Sequence, residues 1–448
     1  FECPQHNFEE MYYYRWWSLR KHIKETPVGY GMTEFLVQRS YSDKYNLIAC
    51  AIGHHIYESR WLRDPKYLDQ IIHTWYRGND GGPMKKMDKF SSWNADAVLA
   101  RYMVDGDKDY LLDMKKDLET EYQRWERTNR LKNGLYWQGD VQDGMEESIS
   151  GGRRKKYARP TINSYMYGNA KALSCIGILS GDEGMAMKYG MRADTLKNLV
   201  ENELWNTRHQ FFETMRTDSS ANVREAIGYI PWYFNLPDTT QKYEIAWKEI
   251  MDEKGFSAPY GLTTAERRHP EFRTRGVGKC EWDGAIWPFA SAQTLTAMAN
   301  FMNNYPQTVL SDSVYFRQME LYVESQYHRG RPYIGEYLDE VTGYWLKGDQ
   351  ERSRYYNHST FNDLIITGLI GLRPRLDNTI EVNPLIPADK WDWFCLDNVL
   401  YHGHNLTILW DKNGDRYHCG KGLRIFVDGK EVGQANTLTK IVCENALK

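Results

Sequence analysis

The amino-acid sequence predicts a mainly α fold, an (α/α)6 toroid followed by a small C-terminal antiparallel β domain. Apolar residues recur at helical spacing up to about residue 372, in roughly twelve segments separated by Gly, Pro, Asn and Asp. After Arg373-Pro374 the pattern changes to short runs of alternating apolar and polar residues. We therefore expect a helical toroid over 1–372 and a β-sandwich-like appendage over 373–448.

The helical segments are delimited by recognisable start signals. Asp64-Pro65 precedes the third segment and Arg159-Pro160 the sixth, each with proline at the first helical position. Even-numbered segments carry polar and aromatic residues on otherwise apolar faces, as at Trp93 and Asp96. Such faces are typical of helices that line a wet central cavity. The predicted helices are 8–25, 43–62, 65–77, 91–105, 107–129, 160–180, 183–205, 223–235, 241–253, 284–303, 309–328 and 357–371.

The C-terminal part contains three clear strand patterns. Residues 379–383, 405–410 and 423–427 alternate apolar and polar side chains. Asn413-Gly414 and Asp428-Gly429 are turn signals. These features predict a small antiparallel sheet, to which we assign no activity of its own.

Composition excludes several classes of function. A formal net charge of -3 and a pI near 6.5 leave no basic surplus for nucleic acid. The longest apolar stretches, such as 364–369, are far shorter than a membrane span. The 16 Trp and 32 Tyr exceed the 15 Phe, and Trp and Tyr present a flat face with a polar edge that suits a sugar ring. Ordinary core packing of a large helical protein is the alternative explanation.

The cysteines and histidines do not predict a metal site. The seven cysteines follow no metal-ligand spacing, and a bridge among those of the C-terminal part is not required. His54 and His55 are adjacent on a predicted helix, so their side chains point about 100° apart and cannot share one ion. We expect no metal and no cofactor. Because the sequence begins with Phe1, we expect a processed chain and favour a periplasmic or secreted location over a cytoplasmic one.

Long polar loops over 130–159, 254–282 and 329–356 are the candidates for chemistry. The first contains Asp140, Asp143, Glu146 and Glu147 beside aromatic and Gly residues, Trp137 among them. Carboxylates this close repel one another, so at least one should keep its proton to higher pH. A protonated carboxyl is what a glycosidic leaving oxygen needs. A calcium loop is the alternative, although the spacing differs from that of an EF-hand.

Two further segments carry acidic residues in unusual surroundings. Glu336 lies between a Gly and a Tyr in a loop, where water could reach it, although an isolated glutamate there is more often an ordinary surface residue. Asp283 lies between Trp282 and Trp287, just before a predicted helix. The two tryptophans resemble a sugar platform, whereas Asp283 alone could be a helix cap. Both interpretations remain open on the sequence.

Three of these motifs together resemble a known clan of enzymes. Glu281-Trp-Asp-Gly-Ala-Ile-Trp-Pro-Phe-Ala290 resembles the tryptophan-proline motif of the (α/α)6 clan that includes glycoside hydrolase family 63, trehalases and mannosylglycerate hydrolases. Gln142-Asp-Gly-Met-Glu-Glu-Ser148 is similar to its acid motif, with Glu where Asp is usual. Gly335-Glu-Tyr-Leu-Asp-Glu-Val-Thr-Gly343 resembles its base motif. The motifs occur in the clan's order, and the resemblance spans roughly residues 8–372.

The resemblance implies an inverting glycoside hydrolase with Glu146 as general acid and Glu336 as general base. Inversion requires the two carboxyl groups roughly 6.5–9.5 Å apart, so that a water fits between base and sugar. Because Glu replaces the usual Asp at position 146, Asp143 remains an alternative donor. The clan acts on several sugars, and the sequence does not select one. The resemblance also implies substrate contacts from Glu34 and Arg39, whose region lines the sugar pocket in related toroids, with a surface ion pair as the alternative.

Other candidate substrate-binding residues lie next to these motifs. Trp137, Trp282, Asp283 and Trp287 could contact a sugar. Arg159 and His358 precede helices near the proposed mouth, where an Arg could bind a hydroxyl or carboxylate and a His is more often structural.

Three functions are compatible with the sequence. The first is an exo-acting glycosidase whose partner is an oligosaccharide or glycan, because a toroid closed by long loops forms a pocket. The second is a sugar epimerase or polysaccharide lyase on the same fold, which would need His or Tyr bases. The third is a non-catalytic carbohydrate-binding protein that keeps the aromatic platform. The oligomeric state is not predicted.

Overall fold

Helices dominate the first 372 residues in the computed structural model, which describes residues 1–276 and 279–447. Shorter helical stretches lie between the longer helices. Ile230–Tyr233 and Asn362–Leu364 are α-helical, Val200–Leu204 and Ile365–Leu369 are π-helical, and Lys44–Asn46, Ala49–Ala51, Asp140–Asp143, Ala226–Tyr229, Glu244–Ile250 and Glu351–Ser353 are 3-10 stretches. Described helices of eight or more residues are His6–His22, Ile52–Ser59, Pro65–Arg77, Asn94–Asp105, Lys108–Asn129, Pro160–Ser180, Glu183–Leu199, Pro288–Asn304 and Asp312–Ser325.

Two of the predicted helices have the bounds expected, and others are shorter. The helices over 65–77 and 160–180 begin at their prolines. The helix expected over 43–62 begins only at Ile52, because Tyr45 and Asn46 have φ of 59° and 65°, in the left-handed region that ends a helix. The segments expected over 223–235, 241–253 and 357–371 are shorter helical stretches, over 226–233, Glu244–Ile250 and 362–369.

A glutamate from another helix marks the late start of the last helical segment. The backbone N–H groups of Phe361, Asn362 and Asp363 all donate to the carboxylate of Glu58, at 2.9–3.2 Å. The first N–H groups of a helix have no partner within the helix, and an anion stabilises them. The helix therefore begins where Glu58 can reach it, and residues 357–360 stay outside the helix.

Six helical segments contact one another in a cycle, and we call them the central segments. The last of them contacts the first, and each coincides with an even-numbered predicted helix. Pro160–Ser180, the longest, is buried at every residue from 160 to 170. A helix buried on all sides lies inside a protein. In order around the cycle they are Ile52–Ser59, Asn94–Asp105, Pro160–Ser180, Ile230–Tyr233, Pro288–Asn304 and Asn362–Leu364.

Short two-stranded ribbons, which the helical pattern did not predict, lie in the connections between helices. All are antiparallel. The ribbon over 137–158 encloses the acidic loop that carries Glu146, and the ribbon over 327–332 precedes Glu336. These ribbons position the two loops. They pair Ile23–Thr26 with Gly29–Met32, Trp137–Gln138 with Tyr157–Ala158, Trp205–Asn206 with Phe211–Phe212, Ser257–Ala258 with Gly261–Leu262, and Tyr327–His328 with Arg331–Pro332.

The C-terminal part is an antiparallel sheet region, as predicted. Its four-stranded sheet runs in chain order through Trp393–Tyr401, His404–Asp411, Gly422–Val427 and Lys430–Ala435. A second pair joins Ile380–Val382 to Ile441–Cys443. Asp428 and Gly429 both have positive φ in the two-residue turn between the last strands, as their sequence predicted.

The sheet region packs on the helical part. His402 Nε2 lies 3.0 Å from the carbonyl of Met103, and Phe8 contacts the ring of Trp391 edge-on. All seven cysteines are free thiols. Within residues 1–276 and 279–447, no helix has both the length and the apolar character needed to cross a bilayer.

Candidate active site

A pocket of about 350 Å³ lies where four of the central segments begin. Residues just before or at the start of these segments line it, because the connections there fold over the ends of the helices. The loops that contain Glu146 and Glu336 complete the wall. The pocket size lies in the range of small-ligand sites. Six predicted site residues line it: Glu34, Glu146, Trp282, Trp287, Glu336 and His358.

Glu146 has the properties of a proton donor at neutral pH. Burial in the pocket raises its pKa to about 7, and the negative charges of Glu336 and Asp140 act in the same direction. The ammonium of Lys347 partly opposes this shift. A carboxyl group with this pKa is half protonated near neutrality, as a general acid must be.

Glu336 is held by two cations. Its Oε2 lies 3.2 Å from Lys347 Nζ and accepts a hydrogen bond from Arg352 at 3.0 Å. Its Oε1 lies 4.0 Å from the thiol of Cys280 and forms no ion pair with a described residue. The ion pairs orient the carboxylate through one oxygen, which leaves the other available for a water molecule.

Glu34 is a third carboxyl group in the pocket. The hydroxyl of Tyr356 donates to its Oε1 at 2.5 Å, whereas its buried Oε2 has no hydrogen-bond partner among the described residues. Burial raises its pKa to about 8, and the charges of Glu336 and Glu146 add to this effect against the opposing hydrogen bond from Tyr356. In the protonated form, Oε2 can donate a hydrogen bond to a sugar hydroxyl.

Aromatic rings form one wall of the pocket. The rings of Trp282 and Trp287 stack with centroids 4.5 Å apart, and Trp287 stacks on Tyr337 at 4.6 Å. His358 lies beside Tyr356, and burial lowers its pKa well below the usual range, so the imidazole is neutral. Its Nε2 is buried without a partner among the described residues. Because Trp287 is stacked between Trp282 and Tyr337, both of its faces are covered by other rings. The wall therefore offers apolar ring surface and one neutral imidazole to a ligand, but not a free face of Trp287.

Asp143 and Arg159 form a buried ion pair outside the pocket lining. Arg159 Nε donates to Asp143 Oδ2 at 2.6 Å, and both side chains are completely buried. The hydroxyls of Ser91 and Thr161 also donate to the carboxylate of Asp143. The carboxylate of Asp143 therefore accepts hydrogen bonds from three side chains and anchors the acidic loop to the start of Pro160–Ser180.

This arrangement predicts that Asp143→Asn lowers stability. We expect a loss of about 3–5 kcal/mol in the free energy of unfolding, because the change leaves the buried guanidinium of Arg159 without its counter-charge. Chemical denaturation followed by circular dichroism measures it. Asp113→Asn, in a half-exposed pair with Arg77, is the matched control and should change stability by about 1 kcal/mol or less. Wild-type stability together with lost activity in Asp143→Asn would instead indicate a catalytic role.

Three other predicted residues also lie outside the pocket lining. The guanidinium of Arg39 lies 5.6 Å from the ring centre of the lining residue Tyr41. Trp137 is in a ribbon strand, where the ammonium of Lys156 lies 4.3 Å above its ring. Asp283 accepts hydrogen bonds from the backbone N–H groups of Arg275 and Gly276, at 2.6 and 3.1 Å. It is not a helix cap, since the helix begins at Pro288.

Family comparison agrees with the composition of this pocket. The model of the mannosylglycerate hydrolase MGH1-like glycoside hydrolase domain matches residues 44–359, which is more than half of the chain. The chain belongs to this glycoside hydrolase family. The C-terminal domain model of glycosyl hydrolase family 65 matches residues 372–433, which include most of the sheet region.

Solved structures similar to this glycoside hydrolase domain include one close relative. A protein named sialidase is 95% identical with a TM-score of 0.99 over the whole of this chain, which spans 41% of that protein. A family 63 mannosylglycerate hydrolase from Thermus thermophilus, solved with Tris, is 12% identical, with a TM-score of 0.59 over 79% of this chain and 98% of its own. A family 78 rhamnosidase from a Bacillus species is 10% identical, with a TM-score of 0.63 over 95% of this chain and 41% of its own. The last two similarities concern the fold.

Several pocket residues of this glycoside hydrolase domain were not predicted from the sequence. Tyr41, Lys89, Cys280, Arg352 and Tyr356 line the pocket. Arg352 lies in the same long loop as Glu336, so a search for cations near the predicted base could have found it. The others come from segments whose relation to the pocket depends on the tertiary fold.

Proposed function

We propose that this chain is the catalytic domain of an exo-acting, inverting glycosidase, with Glu146 as general acid and Glu336 as general base. The observation that carries the proposal is the presence of two unlike carboxyl groups in one pocket. Glu146 has a pKa of about 7, and Glu336 is ion-paired with Lys347 and Arg352. Different environments for two carboxyl groups favour an acid and a base.

The proposed reaction is a single displacement. Glu146 donates its proton to the glycosidic oxygen as the bond from that oxygen to the anomeric carbon breaks. A water molecule attacks the anomeric carbon from the opposite face, and Glu336 takes its proton. The products are a free sugar of inverted configuration and the alcohol of the leaving group. The two carboxyl groups exchange protons with solvent before the next turnover.

The position of Asp143 supports Glu146 as the donor. Asp143 accepts hydrogen bonds from Ser91, Arg159 and Thr161, and it is not part of the pocket lining. A donor must lie within hydrogen-bond reach of the leaving oxygen. Glu146 lines the pocket, where a bound glycoside could come within reach of its carboxyl group.

We propose an (α/α)6 toroid over 1–372 and an appendage over 373–448. The cyclic contacts of the six central segments support the toroid, as does the alternation of central segments with the helices that lie between them along the chain. The two family models, which match 44–359 and 372–433, support the division near residue 372. Glycans would reach the carboxyl groups from the side on which the central segments begin.

Pocket shape and charge favour removal of a neutral terminal sugar. A pocket of about 350 Å³ fits a chain end better than the middle of a polymer. Recognition of an anionic sugar commonly uses a free Arg to bind its carboxylate in a bidentate manner. Arg352 is the guanidinium in the described lining, and it is bound to Glu336. The name sialidase belongs to a chain more than twice as long and does not determine the substrate of this part.

Hydrolysis of a panel of aryl glycosides, followed by NMR, tests the proposal. We expect release of a neutral sugar from at least one glycoside, none from aryl sialosides, and an inverted anomer in the first spectra. A retained configuration would contradict the inverting pair. An unsaturated product would favour the lyase alternative, and no release from aryl glycosides or natural glycans would favour a carbohydrate-binding protein.

A further inference from the structure

A second cavity, which we call the distal cavity, lies among the central segments. Its volume is about 450 Å³, and it shares no lining residue with the candidate active site. The linker from Arg373 to Leu376 borders it where the helical part meets the sheet region. Each of the six central segments contributes at least one lining residue: Tyr57, Asp96, Lys171, Tyr233, Asn300 and Asp363.

An aromatic layer separates the distal cavity from the active-site pocket. Tyr233 lines the distal cavity, and its ring centroid is 5.8 Å from that of Trp93. The ring of Trp93 is in turn 6.4 Å from that of Phe289, which lines the active-site pocket. The distal cavity is therefore a separate compartment, not an extension of the candidate active site.

The distal cavity carries a surplus of positive charge. Arg60 is paired with Asp363 at 2.7 Å, and Arg375 is paired with Glu381 at 2.9 Å. The other lining cations, Lys171 and Arg373, form no ion pair within the described residues. They face one remaining carboxyl group, that of Asp96. Four cations and three carboxyl groups thus line the cavity, so its lining carries a net positive charge.

Arg373 is the most unusual of these groups. Its guanidinium donates to the carbonyl of Thr367 at 3.2 Å and to Asn300 Oδ1 at 2.5 Å, which are both neutral acceptors. Burial lowers its pKa, and the charge of Arg60 contributes in the same direction, whereas the charges of Glu381 and Asp363 partly oppose the shift. Glu381 and Asp363 are close enough to influence the guanidinium, but no described carboxylate forms a direct ion pair with it, so a bound anion would stabilise it further.

Asp96 provides a polar group of the opposite character. The hydroxyl of Tyr57 donates to its Oδ2 at 2.6 Å, whereas Oδ1 has no hydrogen-bond partner among the described residues. A carboxylate oxygen of this kind accepts hydrogen bonds from hydroxyl groups. The distal cavity therefore combines cations suited to an anion with an acceptor suited to hydroxyl groups.

We propose that the distal cavity binds a small hydroxylated carboxylate. Arg373 and Lys171 bind its carboxylate group, and Asp96 accepts hydrogen bonds from its hydroxyl groups. The ligand is of the size and charge of a single sugar acid. This binding is independent of the proposed hydrolysis, because the two sites share no lining residue.

An NMR titration with D-galacturonate as the probe tests this inference. D-galactose and inorganic phosphate are the comparison probes, the first without the charge and the second without the carbon skeleton. We expect galacturonate to bind more tightly than either. Two variants remove the proposed cations, Lys171→Glu and Arg373→Met. Each should weaken galacturonate binding about tenfold or more, as expected when a charge-assisted hydrogen bond is lost. Lys171 is at an exposed position, so its substitution should preserve folding.

Two control variants make the outcome decisive. Lys116→Glu changes the net charge equally on an exposed face of another helix, and it should leave binding within about twofold. Glu336→Gln changes the active-site pocket, not the distal cavity, and should leave galacturonate binding unchanged. The proposal is overturned if galacturonate does not bind, if phosphate or galactose binds as well as it does, or if Glu336→Gln weakens binding while Lys171→Glu does not.

Discussion

Glu336→Gln is expected to lower kcat/KM for glycoside hydrolysis about 10³-fold. Glutamine keeps the size of the side chain but cannot take the proton of the attacking water, and general base catalysis contributes about 10²–10⁴-fold. Since every substrate needs the same water attack, the loss should be similar for good and poor leaving groups. Initial rates on an aryl and an alkyl glycoside of the same sugar measure it.

The ion pairs of Glu336 require a control for structure. Glutamine leaves Lys347 and Arg352 with a neutral partner, so the pocket could lose its shape as well as its base. Thermal unfolding and binding of the free product sugar should therefore be compared between the variant and the wild type. Glu351→Gln, in the same loop but exposed, should retain full activity. Full activity of Glu336→Gln would exclude Glu336 as the base.

Glu146→Gln is expected to act selectively on the leaving group. Loss of the general acid should reduce hydrolysis of alkyl glycosides about 10²–10⁴-fold, because a poor leaving oxygen needs a proton as it departs. A dinitrophenyl glycoside, whose leaving group needs no proton, should be hydrolysed at a rate much closer to that of the wild type. This contrast distinguishes the acid from the base.

The pH profile provides a second measurement on the same residue. Glu146 is active when protonated, and its pKa is about 7, so kcat/KM in the wild type should fall as the pH rises above about 7. The Glu146→Gln variant should lack this alkaline decrease. Glu34→Gln is the matched control, since Glu34 is a buried carboxyl of the same pocket, and the decrease near pH 7 should persist in it. An unchanged profile in Glu146→Gln would refute its role.

Several features of the molecule could be read from local sequence. The helical spacing of apolar residues and the positions of the prolines predicted the helices at 65–77 and 160–180. The alternation of apolar and polar residues predicted the strands near 380, 405 and 423. These patterns are local, because apolar periodicity reports which side of an element is buried. The resemblance of three motifs also predicted that Glu146 and Glu336 belong to one site, and both line the same pocket.

Other features depend on contacts between distant parts of the chain. Glu58 determines where the last helical segment begins, although it lies about 300 residues earlier. The sequence could not distinguish Glu146 from Asp143, which are three residues apart in one loop. The folded chain makes them different, since Arg159, Ser91 and Thr161 reach only Asp143.

Sequence pattern thus specified most of the longer helices and the C-terminal strands, and the motif resemblance singled out the two acidic loops whose carboxyl groups line one pocket. The tertiary structure decided the environment of each carboxyl group. Burial and charge from other segments produce the pKa of about 7 at Glu146, the ion pairs at Glu336 and the unpartnered oxygen at Glu34. Electrostatic environment depends on distances in space, and no spacing along the chain encodes those distances directly.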